Sequence, residues 1–121
     1  MQKSYQQLVR EAKAAVRNTS PDELRRRLEG GEPLVLIDVR EPQEWSQGVL
    51  PNANRIPRGV LEGQVEGRLP RDATVVLYCA AGNRSALAAK SLVEMGFDKV
   101  ENLEGGFGAW SRAGYPLEPS S

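Results

Sequence analysis

The sequence predicts an α/β domain with a mostly parallel central sheet flanked by helices. Short, continuous apolar runs such as LVLIDV (34–39) and TVVLYC (74–79) are typical of strands that are covered on both faces. Between them lie segments whose apolar residues recur at helical spacing. Strands that alternate with helices in this way build parallel sheets. With 121 residues, the chain is long enough for one domain with one ordinary core.

Two helices are predicted before the first apolar run. Residues 4–17 place apolar side chains at helical spacing and form an amphipathic helix. Ser20 supplies an N-terminal cap for a second helix, and Pro21 fits its first position. This second helix ends at Gly30-Gly31.

The middle of the chain alternates short strands with helical turns. A strand is predicted at 34–39, one or two helical turns at 41–48, and another short strand at 53–56. A helix follows from Val60 to Leu69, although two glycines weaken it. Each apolar strand is therefore followed by a segment that can cross over the sheet.

The last third of the chain contains the clearest strand, at 74–79, which is rich in β-branched and aromatic residues. A helix from Ser85 to Met95 follows and stops at Gly96. A last strand is predicted at 100–103 and a last short helix at 107–112. The order of elements along the chain is therefore that of an α/β domain throughout.

Composition excludes several classes of function. The sixteen basic and sixteen acidic residues balance, so nothing favours nucleic acid or an anionic membrane as a partner. The absence of histidine removes Ser-His-Asp and Cys-His catalysis and histidine metal sites. A single cysteine excludes thiolate metal clusters and internal disulfides. We therefore expect no metal, no cofactor and, without a secretory signal or membrane span, a cytoplasmic location.

The single cysteine, Cys79, stands where a parallel sheet places ligands, at the carboxyl end of the clearest strand. Small residues and Gly82 follow, so that successive backbone N–H groups can converge on one point at the start of a helix. Helix N-termini and a nearby cation such as Arg84 lower thiol pKa values. The sequence therefore predicts a catalytic thiolate at Cys79, cradled by Ala80, Ala81, Gly82, Asn83, Arg84 and Ser85.

A lone cysteine after a strand is often only a small buried hydrophobe. The loop that follows Cys79 favours a reactive thiol instead, because it presents the sulfur to a helix N-terminus. Asp38 and Arg40, at the end of the first long strand, are predicted to lie on the same rim. One alternative is that Asp38 orients Arg84 or Arg40 through a charge-assisted pair. The other is that Asp38 and Arg40 have only a structural role in holding this rim together, and we favour that role.

The stretch CAAGNRS (79–85) resembles the active-site loop of the rhodanese family. The resemblance extends through LIDVREPQEW, GVLPNANRIP, VVLYCAAGNRS and ENLEGGFGAW, which occur in that family's order. It covers about residues 20–118, which leaves 1–19 as an N-terminal amphipathic appendage and 119–121 as a frayed tail. The resemblance implies a rhodanese-like three-layer domain whose cysteine becomes a persulfide by taking sulfane sulfur from a donor such as thiosulfate.

The loop also departs from related patterns. Phosphatases that share this fold place five residues between cysteine and arginine, whereas four stand between Cys79 and Arg84, which favours sulfur over a tetrahedral phosphate. Many family members have histidine where Val49 stands and glycine where Asn52 stands. These departures leave the predicted nucleophile, Cys79, in place.

The resulting hypothesis is a sulfurtransferase that moves sulfane sulfur from a thiosulfate-like donor through Cys79 to cyanide or a thiol. An alternative is a sulfur-carrier or regulatory module with little thiosulfate turnover, which meets a protein partner through the helix at 4–17. The sequence names neither the physiological donor and acceptor nor the oligomeric state.

Overall fold

Five parallel strands form the central sheet of the computed structural model, which describes residues 1–120. The strand order is β1-β5-β4-β2-β3, and every pair of neighbours is parallel. The helices are α1 (Tyr5–Ala15), α2 (Pro21–Glu29), α3 (Leu61–Val65), α4 (Asn83–Glu94) and α5 (Gly106–Arg112). The strands are β1 (Arg17–Thr19), β2 (Val35–Asp38), β3 (Asn54–Arg55), β4 (Thr74–Tyr78) and β5 (Lys99–Leu103), and 3₁₀ turns span Pro42–Gln47 and Arg58–Val60.

Two apolar cores, one on each face of the sheet, make the domain three-layered. Alternation along β4 sends Val75 and Leu77 to one face and Val76 and Tyr78 to the other. The first core packs against α3 and α4, and the second packs against α2 and α5. The predicted α/β fold with a parallel sheet between helical layers is confirmed.

Local signals set most element boundaries where the sequence predicts them. Helix α2 begins after Ser20, whose hydroxyl accepts a hydrogen bond from the Glu23 amide, and it ends at Gly30. The helix predicted from Val60 to Leu69 is shorter than expected, because α3 ends at Val65. Extended backbone at Glu66 and a positive φ of 77° at Gly67 stop it there.

Strand β1, which is not predicted from the sequence, pairs with β5 and forms one edge of the sheet. Residues 17–19 are mostly polar and give no apolar run, so only the pairing reveals the strand. The preceding helix, α1, buries Val9 and Ala12 against the domain. The division of the chain at residue 19 stays a prediction, and the end of the predicted tail, Ser121, lies outside the described residues.

The fold brings the carboxyl ends of β2, β4 and β5 to one edge of the sheet. Parallel pairing aligns Asp38 with Tyr78, directly before Cys79, and aligns Leu77 with Asn102. This edge therefore gathers the side chains whose contacts define the candidate site. Among residues 1–120, no helix is long and apolar enough to cross a bilayer.

Candidate active site

Cys79 follows β4 directly, and its side chain lies in the first core with 1% of its surface exposed. The loop after it turns at Gly82, which has a φ of 98°, and α4 begins at Asn83. A left-handed residue at this point suits glycine, because a side chain would strain the backbone. The turn brings the first residues of α4 back over the cysteine sulfur.

Three hydrogen bonds converge on Cys79 Sγ. The backbone amides of Gly82 and Ser85 donate over 3.2 Å and 3.3 Å, and the Ser85 hydroxyl lies 3.3 Å away. Burial raises the pKa of the Cys79 thiol, but hydrogen bonds from Ser85, Gly82 and Ala81 outweigh it and hold that pKa below its ordinary value. The arrangement therefore stabilises negative charge on sulfur through hydrogen-bond donors of the loop and of α4.

Arg84, in the first turn of α4, points its guanidinium at Glu44 rather than at the sulfur. Two parallel hydrogen bonds of 2.9 Å and 3.0 Å join the two side chains. The Glu44 carboxylate also accepts a hydrogen bond of 2.9 Å from the Glu41 amide, in a capping box of the 3₁₀ turn. The positive field of Arg84 still reaches Cys79, so Glu44 partly neutralises a charge that would favour the thiolate.

Glu44 is a site residue that is not predicted from the sequence. Glu41 and Glu44 have the spacing of a capping box, which is the only local signal that could have found the fixed carboxylate. Its partner Arg84 stands 40 residues further along the chain, so the pair depends on the fold.

The loop of Cys79 rests on the N-terminus of α5. The amides of Phe107 and Gly108 donate to the carbonyls of Cys79 and Ala80 over 2.8 Å and 2.9 Å. Gly106 makes this contact possible: a Cβ there would lie 2.4 Å from the Cys79 carbonyl oxygen. The missing side chain at Gly106 therefore lets the cysteine loop pack directly on the backbone of α5.

Asp38 and Arg40 form a buried ion pair beneath this edge, with exposures of 0% and 1%. Arg40 donates three hydrogen bonds of 2.8–3.1 Å to the Asp38 carboxylate, and its guanidinium carbon lies 4.1 Å from the centroid of the Phe107 ring. Tyr78 donates a hydrogen bond of 2.6 Å to Asp38, and burial raises the pKa of this hydroxyl. Asp38 therefore pairs with Arg40 and not with Arg84, and the purely structural role favoured from the sequence stays a prediction.

The remaining loop residues have separate surroundings. Ala80 contributes its carbonyl to α5, and the Ala81 amide faces the sulfur. Asn83 lines a surface cavity of about 260 Å³ together with residues of α1. Of the six predicted cradle residues, Gly82 and Ser85 thus donate hydrogen bonds to the sulfur.

A model of the rhodanese-like domain family matches residues 20–113 of the chain. The chain belongs to this family. A sulfurtransferase of Allochromatium vinosum is 36% identical to this rhodanese-like domain over 102 residues, which are 84% of this chain and 94% of the relative.

Two solved structures resemble this rhodanese-like domain over most of its length. A Rhodopseudomonas palustris protein of unknown function, described as a possible tyrosine phosphatase, has a TM-score of 0.89 at 33% identity, over 98% of this chain and 96% of that one. A polysulfide-sulfur transferase homodimer of Wolinella succinogenes has a TM-score of 0.79 at 35% identity, over 93% and 85%. The family and the sulfurtransferase relative together support a sulfurtransferase role for this rhodanese-like domain.

The structure accounts for the two departures from the family pattern. Asn52 has a φ of 61°, a left-handed conformation that asparagine tolerates better than most residues other than glycine. Val49 is buried and pairs with Glu118 through two backbone hydrogen bonds of 2.9 Å and 2.7 Å. Both substitutions thus fit the rim of this rhodanese-like domain, and neither residue contacts the cysteine loop through a hydrogen bond within residues 1–120.

Proposed function

We propose that the chain is a sulfurtransferase that takes sulfane sulfur from a donor such as thiosulfate onto Cys79 and passes it to cyanide or a thiol. The observation that supports this most strongly is the set of donors around Cys79 Sγ, all within 3.3 Å. Such a set stabilises the Cys79 thiolate that begins and ends each cycle. Family membership and the sulfurtransferase relative support the same reaction class.

The first half-reaction is a displacement at sulfur. The Cys79 thiolate attacks the outer sulfur of thiosulfate, the sulfur–sulfur bond of the donor breaks, and sulfite leaves with the electron pair. The product is Cys79 persulfide with one negative charge, so three negative charges stand on each side of the step. In the second half-reaction, cyanide attacks the outer sulfur, thiocyanate leaves, and the Cys79 thiolate is regenerated. Covalent storage of the sulfur predicts ping-pong kinetics.

The protein contributes electrostatics and position. The amides of Gly82 and Ser85 hold fixed partial positive charges at Cys79 Sγ, where the thiolate charge lies before the first step and returns after the second. Arg84 adds a cation at the same end of α4, which suits the anionic donor. No other group has to accept a proton, because the nucleophile enters and leaves the cycle as an anion.

Steady-state kinetics test this proposal. Initial rates measured over a grid of thiosulfate and cyanide concentrations are expected to give parallel double-reciprocal lines, the pattern of a ping-pong reaction. Cys79→Ser is expected to abolish turnover. Asn54→Leu, a change on the edge strand β3, is the matched control and is expected to keep full activity. A Cys79→Ser protein that turns over thiosulfate and cyanide as fast as the wild type would contradict the proposal.

A phosphatase on the same scaffold is the rival that the Rhodopseudomonas palustris neighbour raises. Four residues between Cys79 and Arg84 make a smaller ring than a phosphate group requires. We therefore expect no hydrolysis of an aryl phosphate under conditions in which thiosulfate is consumed. Comparable rates with both substrates would favour the rival.

A second candidate function, a sulfur carrier that discharges to a protein partner, is favoured by the exposed face of α1. Tyr5 and Leu8 are 54% and 43% exposed on this helix, which packs against the domain through Val9 and Ala12. A carrier is expected to load sulfur but to turn over thiosulfate and cyanide slowly. For either function we propose a cytoplasmic location and no nucleic-acid or membrane partner, given the balanced charge and the single cysteine.

A further inference from the structure

The Ser85 hydroxyl lies between two hydrogen-bond acceptors but carries only one proton. Its Oγ is 3.3 Å from Cys79 Sγ and 2.6 Å from Asn102 Oδ1. When the proton points to Asn102, a lone pair of Ser85 faces the sulfur. When it points to the sulfur, the hydroxyl stabilises a thiolate.

Asn102, at the end of β5, is fully buried and fixed in one orientation. Its Nδ2 donates over 3.2 Å to the Gly82 carbonyl and over 3.2 Å to Asn18 Oδ1. Turning the amide over would place its oxygen against these two oxygens, so Oδ1 must face Ser85. Asn18 is itself oriented, because its Nδ2 donates to the Lys13 carbonyl over 2.9 Å.

We propose that Asn102 is a positioning residue for the sulfur chemistry, which competes with Cys79 Sγ for the single proton of the Ser85 hydroxyl. This proposal rests on the proposed function. The hydroxyl turns toward the sulfur while the charge is on Sγ. It returns to Asn102 when the charge moves to the outer sulfur of the persulfide. No covalent bond changes in this exchange, because only the Ser85 O–H bond rotates.

The charged groups around the loop do not replace this contact. Arg84 on α4 is paired with Glu44 from the 3₁₀ turn, and Arg40 is paired with Asp38 at the end of β2. Within residues 1–120, none of these four side chains forms a hydrogen bond with Ser85 or with Asn102. The competition between sulfur and amide for the proton is therefore local to Cys79, Ser85 and Asn102.

The test is a pH titration of Cys79 by the ultraviolet absorbance of its thiolate, with Cys79→Ser as the blank. Asn102→Leu removes the competing acceptor at similar side-chain size, so Ser85 donates to sulfur alone and the pKa of Cys79 is expected to fall by about one unit. In a Ser85→Ala background the same change is expected to leave that pKa unmoved. Asn54→Leu, which alters an asparagine bound to a backbone carbonyl elsewhere in the sheet, is the control and is expected to cause no shift.

An unchanged pKa in Asn102→Leu, or an equal fall with and without Ser85, overturns the proposal. If Asn102→Leu does not fold by circular dichroism, Asn102→Val replaces it, because valine also lacks the acceptor and suits a strand. The same fall in the pKa of Cys79 is expected, and again no shift in the Ser85→Ala background. The titration uses no sulfur donor, so it is independent of turnover. If the pKa shifts occur but the protein does not turn over thiosulfate, only the proposed function is contradicted. If turnover is normal but the pKa of Cys79 does not shift, only the role of Asn102 is contradicted.

Discussion

The contact between α5 and the cysteine loop gives a sharp prediction, because Gly106 leaves no room for a side chain. In Gly106→Ala the new Cβ meets the Cys79 carbonyl oxygen at 2.4 Å and the Ala80 carbonyl group at 2.9 Å. These are backbone atoms, so the loop and the helix must separate by about 1 Å to reach an ordinary contact.

Two costs add in the free energy of unfolding of Gly106→Ala. Separation weakens the hydrogen bonds from Phe107 and Gly108 to the loop, each worth about 1 kcal/mol. The left-handed backbone at residue 106, with a φ of 55°, costs alanine about 1 kcal/mol. We expect a loss of about 3 kcal/mol, which is within the stability of an ordinary domain, so the variant still folds.

The activity of Gly106→Ala is expected to fall by more than the loss of folded protein would explain. A displacement of about 1 Å of groups that align the reacting sulfur costs about a hundredfold in kcat/KM. The matched control is Gly31→Ala, which has a φ of 75° but no atom within 4 Å of the new Cβ. It is expected to lose about 1 kcal/mol in urea denaturation and no activity. If both variants lose the same stability and keep the same thiosulfate turnover, packing of the cysteine loop on α5 does not align the sulfur.

Three further predictions concern the charges of the site. Glu44→Gln frees Arg84 for the anionic donor and is expected to lower the KM for thiosulfate several-fold, with a stability change below about 1 kcal/mol; an unchanged KM would contradict this. Asp38→Asn leaves Arg40 buried without its counter-ion and is expected to cost about 3–5 kcal/mol in urea denaturation; a loss under about 1 kcal/mol would contradict it. The pKa of Cys79 is lower in the folded than in the unfolded protein. The free energy of unfolding is therefore expected to increase as pH rises from the pKa of the folded state to that of the unfolded state, and to decrease again as pH falls through this range. Cys79→Ser is expected to lack this rise, and an identical pH profile in both proteins would contradict the lowered pKa.

The parts of the fold and site that depend on neighbouring residues could be predicted from the sequence. The strand before Cys79, the glycine turn and the following helix are all encoded within residues 74–95. The hydrogen bonds from Gly82 and Ser85 to the sulfur follow from that local geometry. The parallel sheet follows in turn from the alternation of strands and helices.

The missed parts depend on contacts between residues far apart in sequence. Glu44 reaches Arg84 across 40 positions, and Asn102 reaches Ser85 across 17. Strand β1 has too little apolar character to be recognised from its own residues. It forms a strand because it pairs with β5. The tolerance for Asn52 also needs the structure, because only the backbone shows that residue 52 is left-handed.

The intact mass of the protein, recorded after incubation with thiosulfate and again after addition of cyanide, tests the central claim most directly. The chain has one cysteine, so any sulfur adduct on a thiol must be on Cys79. We predict a gain of one sulfur atom (roughly 32 Da) that is lost with cyanide and absent in Cys79→Ser. A wild-type mass that stays unchanged while thiocyanate accumulates, or an adduct that persists in Cys79→Ser, would contradict transfer through a Cys79 persulfide.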